Sequence, residues 1–387
     1  MKPSQFQCNG RVRPGVLLLI LCSVGAVFLW FRPTQPSRVP ALEVELGRSK
    51  TEAARHVNPI EPQPSLTSTG GAGRMDYRTA AAPPLSRSGH LYSIMTNPAA
   101  VVRLTAEQLD QFLHESGRSP SSLLAAYRAS RDPAFLEEAM RDHPLDPKVG
   151  FEASMRTDVS TTERRQWLDR FKQGSPDNAL ADYLSASEHF KAGRVEDALQ
   201  DLAAASGKRK FQDYTLERIQ DGEEALRSAG YPAAEANLLA NHQMQLPQLV
   251  EARQLAGTLV DLAGSYRQAG DETSRQSVLS MALDLGRRFG EAQPGNLTIA
   301  QLVGFQIETL ALGAMDSAAA SGSGGLTVQN RIQQLGQQQE AMLDLARQTN
   351  PLWAGLSEQD WITYQKRSST FGEDAAKQWL VKKFGAK

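Results

Sequence analysis

Cysteine is nearly absent from this 387-residue chain, and both of its cysteines, Cys8 and Cys22, fall within the first 22 residues. The remaining length therefore has no internal disulfide framework, no Cys-ligated zinc or iron–sulfur site and no cysteine nucleophile. An excess of either charge is also missing. Lys and Arg number 42 against 43 Asp and Glu, a formal net charge of −1. That balance gives no general attraction to nucleic acid or to an acidic membrane surface, so nucleic acid is not an expected partner. The basic trio Lys208, Arg209 and Lys210 reads as a solvated turn.

Catalytic signatures are missing as well. There is no HExxH, no Walker loop and no strand–turn–helix nucleophile motif. The glycines at 322–325 follow no strand and read as linker. Six histidines occur, His56, His90, His114, His143, His189 and His242, and none pairs with another at helical ligand spacing. Adjacent carboxylates such as Glu137/Glu138 and Glu223/Glu224 diverge on a helix and read as solvated faces. No catalytic residue, metal or cofactor is expected from these patterns.

What is present begins with a basic tail, residues 1–14, carrying Lys2, Arg11 and Arg13. The run GVLLLILCSVGAVFLWF, residues 15–31, follows without charge or proline. As a helix it would reach about 25 Å, slightly less than a hydrocarbon core of about 30 Å. Arg13 and Arg32 can snorkel to make up the difference, and Trp30 suits an interface. The reading is a single-pass transmembrane helix, with the basic side inside and the bulk of the chain extracytoplasmic. The rival is a signal peptide, cleaved to release a secreted protein. FLWFRP after the apolar run is a poor cleavage context, which favours the anchor.

Residues 32–96 hold Pro33, Pro36, Pro40, Pro59, Pro62, Pro64, Pro83 and Pro84, with STGGAG at 68–73. No helical or strand period survives there, so the segment is expected to be a disordered Pro/Ser/Gly-rich linker. Its ends would lie about 45 Å apart on average.

Beyond residue 96 the punctuation is that of one helix after another. Thr105 with Gln108 forms a capping-box pattern, and Leu104 can staple onto Leu109. Ser119-Pro120, Asp132-Pro133, Asp146-Pro147 and Ser175-Pro176 each put a capping residue before a proline suited to the first helical turn. Ser160 with Glu163, and Ser357 with Asp360, mark two more starts. Gly117, Gly174, Gly193, Gly230, Gly270 and Gly290 stand where helices are expected to end. Apolar residues follow the helical period, as in Leu259, Leu262, Ala263 and Tyr266, and no alternating strand pattern is convincing. The expected fold class is all-α, built from antiparallel helical hairpins.

Two stretches carry a more specific pattern. Around Gly193, Ala186 lies seven residues earlier, and Ala198, Leu202 and Ala205 lie five, nine and twelve later. In the second, Leu262, Ala263, Tyr266, Gly270, Leu279 and Ala282 keep comparable offsets, with Arg275 where a small residue is usual. Leu136, Ala139 and Pro144 match the end of a further unit. The pattern resembles the tetratricopeptide repeat, a helical hairpin of about 34 residues whose small residues let a partner helix nest closely. The resemblance covers about 130–290 with interruptions and implies an irregular α-solenoid over 97–315. It is followed by a flexible loop at 316–326 and by C-terminal helices at 327–387 that cap it. Helix 327–347 has a thin apolar stripe suited to lying across a groove.

By the same resemblance, the first helix of each hairpin lines a protein-binding face. The candidates are Tyr183, Ser187, Phe190 and Lys191 in one unit, and Val260, Gly264 and Arg267 in the other. The Lys/Asn clamp with which some members hold a terminal carboxylate is not evident. The functional expectation is a membrane-anchored, noncatalytic scaffold or adaptor that binds a protein or peptide partner in the cell envelope. The alternatives are a hydrolase with a cleft in a helical scaffold, or a structural or sensor ectodomain.

Overall fold

A computed structural model of the chain describes residues 87–97, 102–291, 296–321 and 325–385. The expected membrane helix at 15–31, and the expected linker up to residue 86, lie outside the described residues. Among the described residues no helix is long and apolar enough to cross a membrane.

The described chain is helical throughout. There is no strand among the described residues, and isolated bridges join Asn178 to Lys210 and Ala320 to Thr327. The helices, in order, are α1 (Arg87–Thr96), α2 (Ala106–Ser116), α3 (Pro120–Ser130), α4 (Pro133–Asp142), α5 (Pro147–Ser154) and α6 (Thr161–Gly174). Then come α7 (Ala179–Lys191), α8 (Val195–Gly207), α9 (Thr215–Ser228), α10 (Ala233–His242), α11 (Pro247–Gln268) and α12 (Glu272–Gly290). After them run α13 (Thr298–Gly313), α14 (Val328–Thr349), a 3-10 turn (Asn350–Gly355), α15 (Glu358–Phe371) and α16 (Glu373–Phe384).

Helix α1 corrects the expectation of disorder over 87–96, which is helical. Leu91 and Ile94 lie on one face of α1 and are buried, so packing outweighs the polar sequence around them.

Local capping accounts for most of the starts. Thr105 and Ser357 form complete capping boxes, and Ser119, Asp132 and Asp146 accept backbone N–H groups ahead of a proline. Ser175-Pro176 departs from that pattern. Ser175 ends α6, and the fully buried Asn178 caps α7 instead. Asn178 also accepts from the Gln212 N–H and donates to the Gln212 carbonyl, so one side chain starts a helix and pins the loop after α8. Gly117, Gly193, Gly230 and Gly270 end helices with positive φ, as anticipated. Gly174 and Gly290 serve another purpose, because a side chain on either would meet a neighbour: the Leu145 carbonyl for Gly174, the Phe305 ring for Gly290.

The packing order is not the sequence order. Helices α7 and α8 form one hairpin, α11 and α12 another, and α7 packs directly on α11. The intervening hairpin α9–α10 turns away and packs on α3, α2 and α1. The largest apolar core runs through α6–α8 and α11–α14. A second joins α2–α6 with α9 and α10, and a third joins α1 and α10 to the 3-10 turn, α15 and α16.

The C-terminal helices therefore do more than cover one end of a stack. From α13 the neighbours run through α14, α16 and α15 to α1 and α10, and then through α9, α3, α5 and α6 back to α7 and α11. Residues within the expected loop at 316–326 are tied down. The Ser321 N–H donates to the Leu326 carbonyl, and the Arg287 guanidinium donates to the Ser321 carbonyl.

Candidate functional site

Four helices present one face each to a common cleft of about 560 Å³, a volume within the usual range for ligand sites. Helical spacing explains the lining. Gln301, Phe305 and Glu308 share a face of α13, while Arg331, Gln338, Met342 and Leu345 recur along α14. Arg287 and Glu291 come from the end of α12, and Asp374 and Gln378 from α16.

Helix α13 is held in this position by the stripe of its surface that adjoins the cleft. Gly304 of α13 lies against Gly286 and Gly290 of α12, and a methyl group on Gly304 would collide with the backbone of Gly290. On the cleft side, Phe305 and the polar groups hold α14 away. Helix α14 spans 22 residues, yet only Val328, Leu335 and Thr349 are buried in it. It is seated on α13 at its start and on α16 and the 3-10 turn at its end, and it bridges the space between.

Two polar joints fix the walls. In the first, Glu308, 1% exposed, accepts from Arg331 Nε at 2.7 Å and from the same guanidinium at 2.8 Å, with Arg287 Nε at 3.6 Å. The Glu308 hydrogen bonds raise the Arg331 pKa further above its ordinary value. In the second, Glu373 accepts from the Thr298 N–H at 2.8 Å, at the positive end of α13. The Thr298 hydroxyl donates to Asp374 at 2.9 Å and accepts from Lys377 at 3.0 Å, and Lys377 pairs with Glu373 at 2.7 Å.

Gln301 lies between these joints. Its side chain is 4% exposed and lines the cleft, and among the described residues it has no side-chain hydrogen bond. The amide is not sealed off from solvent, so water can satisfy it and a ligand of matching polarity can take that water's place. Among the described residues no group of three or more His, Asp or Glu is arranged to hold a metal.

The sequence-based candidates lie elsewhere. Tyr183 and Ser187 are buried, at 3% and 4% exposed, because α7 packs face to face with α11. Tyr183 meets the Phe211 ring edge-on, and burial pushes its hydroxyl up to about 12. Ser187 donates to Glu251 of α11 at 2.9 Å, and Lys191 pairs with Glu251 at 2.7 Å and Glu188 at 2.9 Å. Phe190 and Val260 are half-buried against the main core, whereas Gly264 and Arg267 are exposed near the end of α11. The structure thus brings Ser187 and Lys191 to the α7–α11 joint, sets Tyr183 against the loop after α8, packs Phe190 and Val260 on the core, and leaves Gly264 and Arg267 exposed.

Two further charged clusters act as joints. Arg128 pairs with Glu152 at 3.2 Å and Asp221 at 3.6 Å, and Arg218 approaches Glu152 at 3.4 Å, locking α3, α5 and α9 together. Burial pushes the Asp221 carboxyl up. On α7, His189 sits beside Asp201 of α8 and Arg165 of α6. Burial and the charges of Arg165 and Arg194 hold its pKa below the ordinary value.

The cleft escaped the sequence patterns because its residues come from four separate helices. One signal was there: Gln301 and Glu308 are polar residues seven apart, and so on one face, of a largely apolar helix. Fold and site together define an all-helical array with a slot under a bridging helix. No family model matches the chain, and no curated protein or solved structure matches it either.

Proposed function

We propose that the chain is a membrane-tethered, noncatalytic helical-repeat protein that holds a protein partner in the cleft beneath α14. The tether rests on the apolar run at 15–31. The repeat reading is supported by the two hairpins α7–α8 and α11–α12, in which Ala186, Ala198, Leu202 and Ala205, and Ala263, Leu279 and Ala282, are all buried at the anticipated small and apolar positions. The observation that carries the binding role is the cleft itself, with Gln301 largely buried at its wall and, among the described residues, without a side-chain hydrogen bond. Of the charged groups around it, Arg287, Arg331 and Glu308 fasten helices to one another, which suits a framework for binding rather than bond breaking.

The test is site-specific photocrosslinking in intact membranes. A photoreactive side chain at Met342, half-buried in the cleft, is expected to give a discrete adduct. The same group at the exposed Gln254 of α11 is expected to give none. Equal labelling at both positions, or none at Met342, removes the proposal.

A further inference from the structure

The cleft carries more information than its volume. Its cations are committed internally: Arg331 and Arg287 both face Glu308, and Arg287 also donates to the Ser321 carbonyl. Its remaining carboxylates are not. Among the described residues neither Asp374 nor Glu291 forms an ion pair, and Asp374 accepts only from the Thr298 hydroxyl. Lys377 offsets Asp374 in part, since both bond the Thr298 hydroxyl. The lining still carries the carboxylates Glu291, Glu308 and Asp374 against the guanidiniums Arg287 and Arg331, which favours a cationic occupant over an anionic one.

Gln301 supplies the second constraint. A primary amide offers a donor and an acceptor side by side, the complement of the C=O and N–H that a single residue of an extended chain directs to one side. Phe305, Met342 and Leu345 provide an apolar wall next to it. From Arg331 to Leu345 the lining of α14 extends about 21 Å along the helix, the length of about six residues of extended chain. Resting on the proposed binding role of this cleft, we infer that its occupant is an extended peptide segment about six residues long. Its backbone pairs with Gln301, an apolar side chain lies against Phe305 and Met342, and a basic side chain is neutralised by Asp374 and Glu291.

The experiment uses the full chain in detergent and fluorescently labelled hexapeptides, read by anisotropy. Ac-Ala-Ala-Leu-Ala-Lys-Ala-NH2 is compared with the same peptide carrying Glu in place of Lys, and with a version N-methylated at its amides. The Lys peptide is expected to bind about tenfold tighter than the Glu peptide, as for one charge-assisted contact, and the N-methylated one about tenfold weaker. Asp374→Asn should reduce the preference for Lys, and Gln301→Leu should weaken both unmodified peptides, with thermal melts showing that each variant is folded.

Equal binding of Lys and Glu peptides, or unchanged binding by the folded Gln301→Leu variant, overturns the inference. Crosslinking at Met342 with no hexapeptide binding leaves the cleft as a protein site and overturns the peptide class alone. Absence of both overturns the two together.

Discussion

Helix α13 has two long neighbours and treats them differently. Against α12 it closes until backbones touch, because Gly304 meets Gly286 and Gly290 and nothing intervenes. Against α14 it is held off by Phe305, Gln301 and the Glu308–Arg331 pair, and a cleft remains. Both joints belong to one helix of 16 residues. Side-chain size and polarity at the seam thus decide whether two helices make a dry joint or a slot. The dry joint gains from dense packing, and the slot from a few strong polar posts.

The largest expected effect comes from removing a post. Glu308→Ala strands Arg331 and Arg287 beside a buried hole and should cost about 3 kcal/mol in denaturant unfolding. A loss under about 1 kcal/mol would mean that the slot side does not depend on this pair. On the dry side, Gly304→Ala forces α12 and α13 apart and should destabilise by about 2 kcal/mol. Gly257→Ala, in the middle of α11 with open space around it, should instead stabilise by about 0.5 kcal/mol. Equal effects of the two alanines would show that close backbone approach at Gly304 does not limit the dry joint.

A smaller effect is expected from acid. Burial alone would raise the Glu373 carboxyl, but the Lys377 charge and hydrogen bonds from Lys377 and Thr298 bring it below its ordinary value of 4.5. A lowered folded-state pKa adds stability that is complete above the unfolded value and is lost as pH falls through the folded one. The wild type should therefore lose melting temperature below pH 4.5, and Glu373→Gln should lose less over the same interval. Parallel pH curves for the two proteins would show that this post does not contribute.

The smallest effect is the most diagnostic. Gln301→Leu removes no internal hydrogen bond and should change stability by no more than about 0.5 kcal/mol. A loss above about 2 kcal/mol would reveal an internal partner for the amide and close the case for a ligand there.

Much of the local structure was legible in the residues. The capping boxes at Thr105 and Ser357 rest on interactions three residues apart, so short sequence windows contain them whole. Tyr183 and Ser187 show the opposite. Their helix is buried from Ala179 to His189, polar positions included, and its pattern did not show that α11 would cover it. The misplaced start at Pro176 has the same origin, since Asn178 caps α7 while holding a loop more than 30 residues away.

Composition, punctuation and the helical period determined that this chain builds helix after helix, because those signals act over one or two turns. Only the tertiary structure decided that α9–α10 folds away from its sequence neighbours, that the last helices meet the first, and that α14 bridges a cleft. Such pairings depend on which distant faces fit in size and charge, and no single helix carries that information.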